Sequence, residues 1–193
     1  MPIKTGDTVL DLGTGSGYAL RVLNDIHRLH RGIGLDASPK MVASAREYTD
    51  THRLDYTVGD FHQLPIADES IDHVWSMEAF FFAGKPIEVI EEIRRVLRPG
   101  GTFFCAVNFY EESEQSHRWR EHIEPPMYLW SQQEYRSLFR EGRLYVATQD
   151  TIPDEEIAIP PEEDFPTDEW ETREAMVDRY RTWGTLLTVG VAP

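Results

Sequence analysis

The chain has few lysines, a single cysteine and no long apolar run. Each shortage excludes something. One cysteine, Cys105, rules out an internal disulfide framework. Its neighbours Phe103, Phe104, Ala106 and Val107 predict a buried strand thiol, and nothing near it in sequence would stabilise a thiolate. With a mean hydropathy of −0.46 and no long apolar stretch, no segment is suited to spanning a bilayer. The start, Met1-Pro2-Ile3-Lys4, lacks the charged and apolar regions of a secretory signal, so the cytoplasm is the expected compartment. Bases are scarce: 19 Lys and Arg face 34 Asp and Glu, a net charge of −15. Such a surface repels phosphate backbones, so no nucleic acid is expected as a partner. It suits a basic partner or, more simply, solubility in high salt, as in proteins of salt-loving organisms. His27 and His30 fall near a helix end and belong to no cluster with metal-ligand spacing, so no metal is expected.

What is present is a pattern. Val9-Leu10-Asp11-Leu12 reads as a buried strand, and Gly13, Gly15 and Gly17 follow as a tight turn before a helix beginning at Tyr18. A strand, a glycine turn and a helix N-terminus offer free N–H groups and the positive end of a helix dipole to a ligand, although glycine turns also serve packing. Leu20, Leu23, Ile26 and Leu29 predict one inward face of that helix, running to about Leu29. Gly32 to Asp36 is a second strand, and Asp36 lies 19 residues beyond Gly17. At that separation an acid at a strand tip meets ribose hydroxyls, because a carboxylate accepts two hydrogen bonds from a vicinal diol. Ser38-Pro39 opens the next helix, with Met41, Ala45 and Tyr48 as its inner face.

Strands over Leu54 to Val58, Ile71 to Ser76 and Thr102 to Asn108 alternate with a helix over Pro86 to Leu97, and Arg98-Pro99-Gly100-Gly101 reverses the chain. His73 alternates with apolar neighbours and reads as a satisfied strand residue. Ser131 and Glu134 form a capping box, Arg143 to Ile152 is a sixth strand, and Leu186 to Val191 a seventh. Between them, residues 153–174 hold ten acids and one base with four prolines, an exposed loop with a short helix near Thr167. The order predicts one α/β domain over residues 1–193. Its doubly wound, mostly parallel seven-stranded sheet carries helices on both faces, and its last strand is antiparallel. Asp11, Asp36, Asp60 and Ser76 to Phe80 then converge at strand C-terminal ends, where such sheets bind ligands.

These residues resemble the class I S-adenosylmethionine-dependent methyltransferases, with their Rossmann-like fold. Asp11 to Gly17 is similar to the family's first motif, with Thr14 where cysteine is more usual; Leu35-Asp36-Ala37-Ser38 to its acidic motif, with Met41 beyond; Gly59-Asp60-Phe61 to its adenine-edge motif; and Val96 to Gly101 to the segment before its fifth strand. The resemblance implies S-adenosylmethionine as cofactor. Asp36 would hold the ribose and Asp60 the adenine amino group, with the Phe61 backbone near the ring. Gly13 and Gly15 would admit the methionine portion, positioned by Asp11; Ser76 would join the cofactor-binding residues, and Met77, Glu78 and Phe80 would line the path to the methyl group. Tyr18 and Glu78 are pocket residues more than catalysts, and Trp119, Met127, Tyr128 and Trp130 line an acceptor pocket or anchor a loop. Only seven residues precede the first strand, so the cover of the site falls to a missing segment, to an insertion over 109–130 with the acidic loop 153–174, or to a partner subunit, as in a homodimer. The family's Asn/Asp-Pro-Pro-aromatic motif is absent after the fourth strand, where Ser76-Met77-Glu78-Ala79-Phe80 stands, and this implies a small-molecule acceptor. A non-catalytic S-adenosylmethionine-binding module is one alternative. A nicotinamide-dependent oxidoreductase is another, though the glycine spacing departs from Gly-x-Gly-x-x-Gly.

Overall fold

A computed structural model describes residues 3–122 and 126–193, without the side chains of 119, 121 and 122. Its seven strands are β1 (Thr8–Leu12), β2 (Arg31–Asp36), β3 (Leu54–Val58), β4 (Ile71–Met77), β5 (Leu97–Val107), β6 (Tyr145–Ile152) and β7 (Thr185–Val191). They form one sheet in the order β3-β2-β1-β4-β5-β7-β6. Pairings from β3 across to β5 are parallel, and β7 runs antiparallel to both β5 and β6. The direction of strand succession reverses between β1 and β4, which opens a crevice at their C-terminal ends.

Both faces of the sheet are covered. Leu10, Leu12, Val74, Phe103 and Cys105 face one core, shared with Val89, Ile90, Ile93 and Val96 of α3 (Pro86–Val96) and with Tyr135 and Phe139 of α4 (Gln132–Glu141). Val9 and Phe104 face the other, shared with Leu20 and Leu23 of α1 (Tyr18–His27) and with Val42 and Ala45 of α2 (Pro39–Glu47). Adjacent residues therefore bury on opposite sides, which is why the central strands read as continuous apolar runs. His73 is satisfied as expected: its ring nitrogens meet Thr102 Oγ1 at 2.6 Å and Asp7 Oδ2 at 3.0 Å. Burial pushes the Cys105 thiol far up, which leaves it unreactive.

Several expectations are corrected. α1 ends at His27, where Arg28 takes a left-handed conformation. Successive steps of three residues drift around a 3.6-residue helix, so Ile26 has rotated off the face of Leu20 and is exposed. Leu29 is buried only because the chain has already left the helix. In α2 the same geometry puts Val42 inward, and Met41 and Tyr48 are exposed. β5 starts at Leu97, and its register shifts against β4 between Ile71 and His73, so residues 98–101 bulge between paired positions. No helix starts near Thr167. Its hydroxyl accepts the Trp170 amide in a local turn, and the helix α5 (Arg173–Val177) begins after Thr172, whose side chain caps it. A π-helical segment, Asp178–Trp183, continues α5 and has no counterpart in the sequence pattern.

Candidate functional site

The first turn carries the site's geometry. Gly13, Gly15 and Gly17 have φ of 76°, 53° and 78°, a left-handed conformation that side chains disfavour. At Gly13 a Cβ would also collide with the Ala79 methyl group, so the turn lies directly against the chain two residues beyond the end of β4. At Gly15 nothing stands within 4 Å of where a Cβ would be, and a ligand can approach the backbone there. The turn is clamped to β2 by the Gly13 and Thr14 amides, which donate to the Leu35 carbonyl at 2.8 and 3.1 Å.

Two acids anchor it. Asp11 is only 2% exposed, and its Oδ2 accepts the Thr14 hydroxyl at 2.7 Å. Burial raises its pKa to about 7, helped by the charge of Asp36 and opposed by the Thr14 bond. Asp36 accepts the Gly15 amide at Oδ2 and the Ser38 amide at Oδ1, both at 2.8 Å. It thus ties the turn to the start of α2, a role its place in the sequence does not reveal. Each carboxylate oxygen keeps a second lone pair, so Asp36 can still receive hydroxyl donors. The Gly59 amide donates to the Asp36 carbonyl at 3.0 Å and brings β3's end alongside. There Asp60 is exposed, with Oδ1 accepting the His62 amide at 2.9 Å and meeting His62 Nδ1 at 2.6 Å. These bonds hold its carboxyl below the usual range. His62 is a partner the sequence reasoning missed, although its position two residues on is a common Asx-turn spacing. Phe61 is half-buried, with its ring edge towards Gly13, and Ala37 is exposed.

Beyond β4, the expected residues separate. Ser76 is fully buried and Met77 exposed. Phe80 does not line the crevice: it is 1% exposed, because a 3-10 turn over Phe80–Phe82 carries it into the core against Phe103 and Trp130, each 5.8 Å away between ring centres. Tyr18 is 65% exposed and Tyr128 is 44% exposed, the latter stacked on Trp130 with ring centres 5.7 Å apart. The half-buried Trp130 and buried Met127 pack with the main core, as loop anchors would. The Trp119 side chain lies outside the described residues. Glu78 has φ 54°, and its Oε1 accepts the Asn108 amide at 2.6 Å. Burial raises its pKa to about 7, against the Asn108 bond and the positive charge of Arg179. Arg179, buried in the π-helical segment, is a second residue that sequence spacing does not reveal. Its only signal is an arginine among acids late in the chain.

Residues 10–105 match the family described as "Methyltransferase domain". A Haloferax volcanii structure, the complex between the Trm112 methyltransferase activator and a candidate methyltransferase, matches at 63% identity with a TM-score of 0.98, covering 100% of this chain and 85% of that one. The chain belongs to the class I S-adenosylmethionine-dependent methyltransferases. The malonyl-[acyl-carrier protein] O-methyltransferase of a Marinomonas species is 38% identical to this methyltransferase domain over 102 residues, 52% of this chain and 38% of that protein. The chain therefore spans well under half the length of that curated relative. The YcgJ protein of Bacillus subtilis, at 18% identity and a TM-score of 0.74 over 99% of this chain and 94% of that one, shares the fold.

S-adenosylmethionine is the family's cofactor, and this crevice suits it: the Gly15 backbone is open, Asp36 keeps spare acceptor capacity and Asp60 is exposed. Among the described residues no group of His, Cys, Asp and Glu is arranged to hold a metal ion, and no helix is long and apolar enough to cross a membrane. The expectation about partners is corrected. It allowed a small-molecule acceptor and at most a second copy of the chain, whereas the Haloferax relative is bound to a protein activator. The acidic surface argues against polyanions and carries no information against a protein partner. A missing amino-methylation motif carries no argument against macromolecules as a class.

Proposed function

We propose that this chain transfers a methyl group from S-adenosylmethionine to a macromolecular acceptor while bound to a Trm112-type activator protein. The carrying observation is the Haloferax match, at 63% identity over all of this chain. The site's open side supports the reading: Tyr18, Met77 and Tyr128 expose apolar surface near the crevice, as expected where a large acceptor docks. We read the described residues of the insertion 109–130, together with the acidic loop 153–174, as its cover. Arg118 of the insertion lies over the Trp170 ring at 4.6 Å, and the Tyr128 amide donates to the Phe81 carbonyl at 2.8 Å.

When bound, the cofactor supplies a sulfonium methyl group already activated for transfer. The chain's residues position and exclude. Asp36 receives the ribose hydroxyls and Asp60 the adenine amino group, while the Gly13 to Gly17 turn admits the methionine portion beside Asp11. Orientation of this kind contributes roughly 7–11 kcal/mol to a two-reactant step. Co-expression with the source organism's Trm112-type protein tests the partner: a stable complex on size exclusion is expected, and two separate peaks would refute it. Labelled-methyl transfer by that complex into an extract sorted into RNA, protein and small molecules tests the acceptor. Label confined to small molecules would overturn the macromolecular reading.

A further inference from the structure

Where β4 and β5 end, a pocket of about 390 Å³ opens, closed on its far side by Arg179 and Tyr180. Phe81, Phe82, Phe109 and Tyr180 supply rings to its wall, and Glu78 and Asn108 contribute polar groups. Three observations single out Glu78. Its left-handed backbone, at φ 54°, is strained for a residue with a side chain, and such strain concentrates at sites. Its Oε1 is fixed by the Asn108 amide at 2.6 Å, which locks the carboxylate between the tips of two central strands. Its neighbour Ala79 packs on Gly13, so the Glu78 backbone lies one residue along the chain from the contact with the glycine turn.

We propose that this pocket receives a planar ring of the acceptor bearing an N–H or O–H, and that Glu78 is the catalytic base that takes its proton. The proposal rests on the methyltransferase reading. The acceptor atom bonds to the methyl carbon, sulfur keeps the electron pair of the broken carbon–sulfur bond, and the acceptor's proton passes to the Glu78 carboxylate. S-adenosylhomocysteine and the methylated ring are the products. The charged and titratable groups facing Glu78 are Arg179 from the π-helical segment, Cys105 from β5 and Tyr135 from α4. The arginine favours the ionised carboxylate and burial the neutral one, and the balance near pH 7 suits a group that must take up a proton and release it.

The test uses the full chain loaded with S-adenosylhomocysteine and two ring probes, phenol and anisole, which differ by the O–H. Ligand-observed NMR is expected to show phenol bound roughly ten- to a hundredfold more tightly at about pH 8, the range one hydrogen bond to a charged partner allows. The preference shrinks at about pH 6, where the carboxyl is protonated. Glu78→Gln, whose amide oxygen accepts but carries no charge, cuts it to a few-fold at most and makes it independent of pH. Equal binding of the two probes, binding of neither, or a preference undiminished by Glu78→Gln overturns the proposal. If Glu78→Gln does not fold, Tyr180→Ala serves: it should weaken both probes alike, and unchanged probe binding overturns the pocket. A wild-type chain that keeps the phenol preference but binds no S-adenosylhomocysteine overturns the methyltransferase reading instead, and the role as base with it.

Discussion

Asp36 offers the sharpest separation between holding a ligand and holding the fold. Its two oxygens accept the Gly15 and Ser38 amides at 2.8 Å each. Bonds to a charged acceptor are each worth about 1.5–3 kcal/mol, and a half-buried amide recovers part of that from water. Asp36→Ala should therefore cost about 2–4 kcal/mol of stability. For a chain of this length that lowers the melting temperature by roughly 4–16 °C. Asp36→Asn keeps one acceptor oxygen but turns an NH2 group towards the second amide, so it should fall between wild type and alanine. Differential scanning calorimetry gives the melts, and titration with S-adenosylhomocysteine gives the affinities, which should fall in both variants. If Asp36 served the ribose alone, affinity would drop without a change in melting. An Asp36→Ala chain that melts with wild type would refute the claim that this carboxylate closes the turn.

Asp11 predicts a pH dependence. Its folded pKa of about 7 lies above the ordinary 3.8, so the folded chain keeps a proton that the unfolded chain releases between those values. Stability thus falls as pH rises from about 4 to about 7, by a total of about 4 kcal/mol, and then levels. Asp11→Asn cannot ionise, so in urea melts its stability relative to wild type should climb across that window; parallel curves would count against the buried, neutral acid. Gly13→Ala forces a side chain into a left-handed position against Ala79 and should cost about 1–2 kcal/mol or more. An unchanged melting temperature would contradict the close approach. With a net charge of −15, added salt should raise the melting temperature as the screening length falls from about 10 Å at 0.1 M to about 3 Å at 1 M, and a flat response would mean that self-repulsion is unimportant.

The sheet was legible because its information is local. Both faces of β1 and β5 are buried, so apolar runs mark them, and glycine and Pro-Gly turns punctuate them. The antiparallel β7 was legible too, since no regular crossover helix precedes it. What escaped depends on partners distant in sequence. The helical stretch 173–183 is held by Trp170 against Tyr180 and by Arg181, which donates to the carbonyls of Asp154 and Ile157. Nothing in Asp178 to Trp183 alone announces a helix. At the site, the types and spacing of Asp11, Asp36 and Asp60 were readable, whereas the bond from Gly15 to Asp36 spans 21 residues and appears only on folding. Ile26, Met41 and Phe80 were misplaced because an apolar residue near a helical period or beside a strand tip has two faces to choose from. Packing decides between them.

The central claim is that the glycine turn and Asp36 form the seat of a sulfonium nucleoside. Isothermal calorimetry of the purified chain, alone and with its Trm112-type partner, tests it most directly. The expected result is saturable binding of S-adenosylmethionine and S-adenosylhomocysteine, weakened several-fold or more by Asp36→Ala and absent for NAD. Binding of NAD with no response to either sulfur ligand, in either preparation, would contradict it.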